Sequence, residues 1–143
     1  MEIKRDYYLK ELIDRLDNGL IKIITGIRRC GKSYLLNTIF KNYLLEQGTD
    51  EKHIIQLSLD ERTNSKYLDP DKLDKYIRSL IVDEQKYYIL LDEIQEVKEF
   101  ESVLIGFMHI NNVEIYVTGS NSKFLSSDIV TEFRGRGDEI RVY

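Results

Sequence analysis

Hydrophobic and polar residues follow two periods along this chain, and the two periods predict strands and helices in alternation. Short apolar runs rich in β-branched residues have the length and composition of buried strands. Between them, apolar residues recur at the spacing of one face of a helix. The predicted strands are residues 20–25, 53–58, 87–91, 113–117 and 138–143. The predicted helices are residues 5–18, 32–47, 70–81, 99–109 and 121–133.

This order of elements favours an α/β fold. Strands that alternate with helices imply a mostly parallel five-stranded sheet with helices on both faces, which makes three layers. Asn18-Gly19 and Gly48 are typical helix stops, and Pro70 suits the first turn of a helix. The sequence holds one proline and no low-complexity linker, so we expect residues 1–143 to form one domain.

The most specific motif lies between the first predicted strand and the second predicted helix. Residues 26–33 read Gly-Ile-Arg-Arg-Cys-Gly-Lys-Ser and fit the phosphate-binding pattern G-x-x-x-x-G-K-[ST]. In such a P-loop, glycines let backbone N–H groups face a phosphate, and the following helix adds the positive end of its dipole. An ordinary glycine-containing turn is the alternative, but the flanking strand and helix favour the P-loop. The predicted nucleotide-binding residues are Gly26, Ile27, Arg28, Arg29, Cys30, Gly31, Lys32, Ser33 and Tyr34.

The side chains of this motif differ in what they are expected to do. Lys32 supplies a charge for the outer phosphates, and the Ser33 hydroxyl is a ligand for Mg²⁺. Arg28 and Arg29 are candidates for contact with phosphate, sugar or a partner, although simple solvent exposure is the plainer expectation. Cys30 is expected to be a small filler rather than a redox group.

A second candidate site follows the third predicted strand, which ends in Asp92-Glu93. Ligands of parallel sheets gather at the carboxyl ends of strands, so Asp92 is expected to face the P-loop and help to hold Mg²⁺. Glu93 is then placed to orient and polarise an attacking water. An acidic pair after an apolar strand is also a common solvated strand end, but its position after a P-loop favours the functional interpretation.

The acidic pair discriminates among the enzymes that use a P-loop. A small-molecule kinase does not need a water-activating carboxylate, and the Asn-Lys-x-Asp motif of GTPases is absent from this sequence. Glu93 therefore favours an ATPase. The base is less well defined by the pattern, and residues 5–18 are our expectation for part of its pocket.

Polar and basic residues follow the fourth predicted strand. Ser120 or Asn121 is a candidate to contact the γ-phosphate or the attacking water, and either residue also suits the N-cap of the helix predicted next. Arg134 and Arg136 are candidates to neutralise charge in the transition state, often in the site of a neighbouring subunit. A solvated basic turn is the alternative for the two arginines.

Composition and charge limit the partners and the cellular compartment that we expect for this chain. The net charge of −4 argues against a broad nucleic-acid-binding surface, so nucleic acid is an unfavoured partner. No apolar stretch approaches the roughly 18 residues of a membrane span, and residues 1–6 lack the apolar core of a secretion signal. The single cysteine fits a reducing compartment, and we expect a cytoplasmic protein.

Three segments together resemble a prokaryotic family described as predicted ATPases of the AAA+ superfamily. They are IKIITGIRRCGKSYLLN at residues 21–37, YYILLDEIQEVKEFES at residues 87–102 and IYVTGSNSKFLSSDIVTEFRGR at residues 115–136. The resemblance covers nearly the whole chain and implies the core of a P-loop NTPase that binds ATP and Mg²⁺. It also implies ADP as product and a homo-oligomer or another protein as partner.

The resemblance assigns roles residue by residue. Lys32 and Ser33 match its phosphate and Mg²⁺ positions. Asp92 matches its metal position, and Glu93 matches its water-activating position. A further set matches the segment of the γ-phosphate sensor and the Arg-Gly-Arg motif of the family, namely Asn121, Arg134 and Arg136.

The resemblance also carries an expectation about length. Members of the family usually continue into a lid and a separate C-terminal domain, so we expect residues 1–143 to correspond to the N-terminal part of a longer protein. Without the lid, efficient hydrolysis is not expected. Three functions therefore stay open: a Mg²⁺-dependent ATPase that drives or switches a process, a nucleotide-dependent binding module with little hydrolysis, and a nucleic-acid-dependent ATPase.

Overall fold

The computed structural model describes residues 2–26, 31–120, 133 and 135–142, and it contains one parallel sheet. The order of its strands is β2-β3-β4-β1-β5, and all the pairings are parallel. This confirms the predicted α/β class with its five-stranded sheet. The strands are β1 (Ile21–Thr25), β2 (Ile54–Ser58), β3 (Tyr87–Asp92), β4 (Val113–Gly119) and β5 (Gly137–Arg141).

Besides short 3₁₀-helices, four longer helices accompany these strands within the described part of the chain. They are α1 (Glu2–Asp14), α2, α3 (Pro70–Leu80) and α4 (Phe100–Met108). Helix α2 is continuous and consists of an α-helical turn at Lys32–Tyr34, a π-helical stretch at Leu35–Phe40 and an α-helical end at Lys41–Glu46. Short π-helical insertions are rare and occur frequently at functional sites.

Two hydrophobic cores lie on opposite faces of the sheet. On one face, Leu12 of α1 and Leu36 and Phe40 of α2 pack against Ile24 and Tyr116. On the other face, residues of α3 and α4 pack against the alternate residues of β1, β3 and β4; they include Leu73, Ile77, Leu104 and Phe107. Since successive residues of a strand point to opposite faces, β1, β2, β3 and β4 each contribute to both cores. The helices therefore cover both faces, as predicted.

The boundaries of several elements differ from the prediction. Helix α1 ends at Asp14, not at residue 18, because the chain then tightens into i→i−3 hydrogen bonds and reaches a left-handed residue at Asp17, whose φ is 60°. Between β2 and α3, where the pattern predicted neither a strand nor a helix, the chain contains a 3₁₀-helix at Arg62–Leu68. Strand β4 extends to Gly119 and places two further residues in the sheet.

Two further observations concern the last predicted helix and the possibility of a membrane-spanning helix. The helix predicted at residues 121–133 lies outside the described residues except for Phe133, which is fully buried. Among the residues that the structure describes, no helix combines the length and the apolar character needed to cross a membrane.

Candidate functional site

The topology brings the ends of three strands together. Strand β4 lies between β1 and β3, in register with both, so that Thr118 pairs with Ile24 while Val117 pairs with Leu91. Because the strands are parallel, their carboxyl ends meet at one edge of the sheet. The P-loop sequence, the acidic pair and the polar residues after β4 all start at this edge.

The described end of the P-loop consists of the N-cap and the first turn of α2. Gly31 has a left-handed backbone with φ of 95°, and as the N-cap it offers no side-chain hydrogen bond to the first turn of α2. Lys32 is 4% exposed in the first turn. First-turn N–H groups without a side-chain cap are suited to bind an anion. The other predicted P-loop residues 27–30 lie outside the described part of the chain.

Ser33 and Asp92 are joined directly. The Ser33 hydroxyl donates a 2.8 Å hydrogen bond to Oδ2 of Asp92, although the two residues are 59 positions apart in sequence. Burial raises the pKa of the Asp92 carboxyl above its ordinary value, while hydrogen bonds from Thr118 and Ser33 act in the opposite direction. The two predicted metal-binding residues therefore form one unit.

Thr118 is a residue of this site that the sequence analysis missed. Its side chain is fully buried near the end of β4. The Thr118 hydroxyl donates a 2.5 Å hydrogen bond to Oδ1 of Asp92 and accepts a 2.9 Å hydrogen bond from the backbone N–H of Glu93. A threonine directly after the apolar run at residues 115–117 was the available signal.

Glu93 occupies a strained position beside these contacts. Its φ of 56° and ψ of 52° are left-handed, which is uncommon for a residue other than glycine, and its exposed fraction is 5%. The Ser120 hydroxyl donates to its two carboxylate oxygens, at 2.7 and 3.1 Å, and the Gln95 amide donates to Oε1 at 3.0 Å. The Glu93 carboxylate is therefore held in a defined orientation.

The predicted arginines and Asn121 are distributed differently. The backbone carbonyl of Arg136 accepts a 2.7 Å hydrogen bond from the N–H of Ile21, the first residue of β1. The P-loop follows the last residue of β1, and a strand of five residues spans roughly 13–17 Å. The structure therefore places the backbone of Arg136 at the end of the sheet opposite to the acidic pair. Asn121 and Arg134 lie outside the described residues.

The start of α1 reaches the start of α2. The Arg5 guanidinium lies 5.3 Å from the centre of the Tyr34 ring, and Tyr34 is 51% exposed. Tyr34 directly follows Ser33 in the P-loop motif. Helix α1, which we expected to contribute to a base pocket, therefore begins beside the candidate phosphate site.

The chain is similar to known proteins in sequence and in fold. A family model described as an AAA domain matches residues 18–143. The chain belongs to the AAA domain family. This result agrees with the resemblance found in the sequence, and the family is one of ATP-binding domains.

Individual relatives of this AAA domain extend the comparison. An uncharacterised protein of Haemophilus influenzae is 34% identical over 142 residues, which cover 99% of this chain and 35% of the relative. The chain thus spans about a third of the length of that relative. An uncharacterised protein of Methanocaldococcus jannaschii is 29% identical over 94% of this chain and 27% of its own length.

Solved structures share the fold of this AAA domain. A DNA polymerase III gamma subunit-related protein of Thermotoga maritima has a TM-score of 0.67 and 10% identity, and it covers 94% of this chain and 45% of its own. A chain in the structure of Drosophila ORC bound to AT-rich DNA and Cdc6 has a TM-score of 0.62 and 12% identity, with coverage of 97% and 54%. At these identities the likeness shows the fold alone.

The AAA domain has oxygen atoms suited to Mg²⁺. Adjacent ligands of an octahedral Mg²⁺, each about 2.0–2.1 Å from the ion, lie about 2.9 Å apart. The 2.8 Å between Ser33 Oγ and Asp92 Oδ2 is close to this separation. Among the described residues, no group of three or more His, Cys, Asp or Glu side chains is placed to hold a metal. This donor set fits an ion that takes further ligands from phosphate and water.

Proposed function

We propose that this AAA domain binds ATP together with Mg²⁺ and hydrolyses ATP to ADP and phosphate. In this proposal, Glu93 orients and polarises the water that attacks the γ-phosphate. The observation that carries the proposal is the linked set of buried acids at the carboxyl edge of the sheet. Asp92 is hydrogen-bonded to the P-loop hydroxyl of Ser33, and the next residue carries a second carboxylate. We therefore assign the carboxylate of Asp92 to the metal and the carboxylate of Glu93 to the attacking water.

The remaining roles follow from position. Lys32, buried in the first turn of α2, contacts the outer phosphates, and the N–H groups of that turn complete the phosphate site. Ser33 and Asp92 hold Mg²⁺, with Asp92 acting directly or through water. When bound, Mg²⁺ neutralises the charge that develops on the phosphate oxygens. Tyr34, exposed beside Arg5, borders the nucleotide.

The arginines act on different sites under this proposal. Arg136 precedes β5 at the far end of the sheet, so it serves the nucleotide site of a neighbouring copy or partner rather than its own. Arg134 is the alternative for this role, and Asn121 senses the γ-phosphate. A homo-oligomer is therefore the partner that we propose first.

The substitution Glu93→Gln tests the proposal in the full-length protein. Glutamine keeps the shape of the side chain and an oxygen that accepts from Ser120, but it removes the base. We expect turnover of ATP to fall about 100- to 10,000-fold, while the affinity for a fluorescent ATP analogue stays within about twofold. The control is Glu96→Gln, which neutralises an exposed acid three residues away and should leave turnover intact. Unchanged turnover in Glu93→Gln would refute the role of Glu93.

A second function is favoured by one observation. The Glu93 carboxylate accepts hydrogen bonds from Ser120 and Gln95, so these side chains compete with water for its lone pairs. Such a carboxylate suits a module in which bound ATP changes the affinity for a partner and hydrolysis is slow. Tight ATP binding without turnover, even at concentrations that favour oligomers, would support this alternative.

Nucleic acid enters the proposal only as an outcome of the same assay. The Drosophila neighbour is described as bound to DNA, whereas this chain carries a net charge of −4. We therefore expect no stimulation of turnover by DNA or RNA. Stimulation that falls steeply with salt would instead indicate a nucleic-acid-dependent ATPase.

A further inference from the structure

Thr118 contacts both residues of the acidic pair in the proposed site. It lies near the end of β4, the strand between the P-loop strand and the acidic strand. Its side chain has no exposed surface, although a hydroxyl is costly to bury without partners. The site has thus retained a polar group at a position where the rest of the strand is mainly apolar.

The hydroxyl of Thr118 makes one hydrogen bond to the carboxylate of Asp92 and one to the backbone of Glu93. The proton is donated to Oδ1 of Asp92, and a lone pair accepts the backbone N–H of Glu93. One side chain therefore contacts both residues of the acidic pair. Each contact satisfies a polar group within the buried site.

The contact with Asp92 determines the orientation of its carboxylate. The terminal torsion of an aspartate is broad, so a single hydrogen bond leaves the plane of the carboxylate loosely defined. Here Ser33 donates to Oδ2 and Thr118 donates to Oδ1. Together the two hydrogen bonds fix the plane of the Asp92 carboxylate.

The contact with Glu93 supports its backbone. The left-handed conformation at this residue carries strain, and such conformations persist when the surrounding structure holds them. Thr118 binds the N–H of this residue, while Ser120, on the same side of the chain two positions later, binds its carboxylate. The end of β4 thereby holds both the backbone and the side chain of Glu93.

We infer that Thr118 is a positioning residue for ATP hydrolysis, whose hydroxyl orients Asp92 toward Mg²⁺ and Glu93 toward the attacking water. This inference rests on the proposed function. Because the Thr118 side chain is fully buried, we assign it no direct contact with the nucleotide or the water. Its effect passes through the two acids, as the partners of metal ligands act in other sites.

The experiment compares Thr118→Val with Thr118→Ser in the full-length protein. Valine has the same branching without the hydroxyl, whereas serine retains the hydroxyl and loses only a methyl group. We expect Thr118→Val to lower kcat and raise the Mg²⁺ concentration for half-maximal turnover, each by about 10- to 100-fold. At saturating Mg²⁺, the KM for ATP should stay within about threefold, and Thr118→Ser should restore both quantities to within about threefold of the wild type.

A binding measurement separates this inference from the proposed function. Titration of a fluorescent ATP analogue, with Mg²⁺ and with a chelator, gives the gain in affinity due to Mg²⁺ without any turnover. Thr118→Val should lose most of this gain, and Thr118→Ser should keep it. If the wild type binds Mg²⁺ and ATP but does not hydrolyse ATP, the proposed hydrolysis fails while the role of Thr118 at Asp92 is still measured.

Thr25→Val is the matched structural control. Thr25 is equally buried at the end of the adjacent strand β1, and its hydroxyl donates a 2.6 Å hydrogen bond to Glu139 rather than to the acidic pair. It should lose comparable thermal stability but retain the Mg²⁺ dependence of binding. A folded Thr118→Val with normal Mg²⁺ dependence overturns the inference. If Thr118→Val does not fold, a Thr118→Ser variant that has lost Mg²⁺ dependence overturns it equally.

Discussion

The hydroxyl of Ser33 lies 2.8 Å from Oδ2 of Asp92 and donates its proton to that oxygen. The donated proton leaves the lone pairs of Ser33 directed away from Asp92, where an oxygen ligand of Mg²⁺ needs them. This hydrogen bond connects the P-loop to the acidic strand. This connection brings residues 59 positions apart in sequence together at the carboxyl edge of the sheet.

Ser33→Ala should remove the gain in nucleotide affinity that Mg²⁺ provides. We expect a fluorescent ATP analogue to bind at least about 10-fold more weakly than to the wild type in Mg²⁺, and equally well in the presence of a chelator. Ser33→Thr keeps the hydroxyl and should behave like the wild type. Ser79→Ala, at an exposed serine of α3, is the control. Equal loss of affinity in the chelator would show that Ser33 supports the fold or the phosphate site instead.

The P-loop and the acidic pair were recognisable in the sequence for a physical reason. A phosphate cradle requires a strand, a glycine-containing turn and a helix in immediate succession, so Gly31, Lys32 and Ser33 were recognisable locally. The acidic pair was equally local, since Asp92 ends an apolar strand. The alternation of periods was sufficient to predict a parallel sheet covered on both faces.

Other features depend on relationships that a pattern does not contain. Thr118 was missed because it stands within a strand, and only the register of β4 against β3 brings it to Asp92. The apolar spacing of α1 continues to Leu16, so it could not reveal the earlier end at Asp14. Arg136 follows the site residues in sequence, yet the pairing of β5 with β1 places its backbone at the opposite end of the sheet.

Ser120 should influence turnover more than nucleotide affinity. Its hydroxyl contacts both carboxylate oxygens of Glu93, so Ser120→Ala releases the orientation of that carboxylate. We expect kcat to fall about 10-fold with an unchanged dissociation constant for the ATP analogue, and Ser120→Thr to retain most of the activity. Steady-state turnover and equilibrium binding check the two quantities. An increase in kcat would mean that Ser120 holds Glu93 in an inactive orientation.

The acid sensitivity of the fold should depend on Asp83. The hydrogen bond with His53 at 2.9 Å is the main cause that lowers the pKa of Asp83, and the N–H of Gln85 and the charges of His53 and Lys52 act in the same direction. A lowered pKa means that the folded state holds the ionised form more strongly than the unfolded state does. The stabilisation is therefore present above the ordinary value of 3.8 and is lost as pH falls through the lower value in the folded state.

Asp83→Asn tests this dependence. We expect the variant to be less stable than the wild type at pH 6, with the difference shrinking as the pH falls below about 3.8. Urea denaturation at a series of pH values gives the free energy of unfolding for both proteins. Glu84→Gln changes the neighbouring exposed carboxylate and should show no such convergence. A pH-independent difference would contradict the role of the ionised carboxylate.

Two glycines should respond in opposite directions to alanine. A Cβ at Gly106, within α4, would meet Arg78 Nη2 at an ordinary 3.7 Å, so Gly106→Ala should stabilise the fold by about 0.5–1 kcal/mol. A Cβ at Gly137 would lie 3.0 Å from Ile23 Cδ1 and 3.3 Å from Phe133 Cδ2. Gly137→Ala should therefore destabilise by about 1–3 kcal/mol. The shift of the urea midpoint measures both, and stabilisation by Gly137→Ala would contradict the crowding.

A buried ion pair at the end of the sheet opposite to the site gives the last prediction. Lys22 Nζ lies 2.8 Å from Glu114 Oε1, and the two side chains are 1% and 6% exposed. Burial lowers the pKa of Lys22, and this effect exceeds the opposing influence of the hydrogen bond and charge of Glu114. For Lys22, the cost of desolvation is therefore large relative to the attraction.

The single substitution Glu114→Gln should be strongly destabilising, by about 3–5 kcal/mol, because it leaves the buried charge of Lys22 without its partner. Lys22→Met should also destabilise but cost less, because Glu114 keeps a longer 3.6 Å contact with Lys86 Nζ. The double substitution removes both charges and keeps an acceptor for the N–H of Asp17, which donates to Glu114 at 3.1 Å. We expect the double variant to be more stable than either single variant. A double-mutant cycle on the free energy of unfolding gives the coupling, and strictly additive effects would show that the pair contributes no mutual stabilisation.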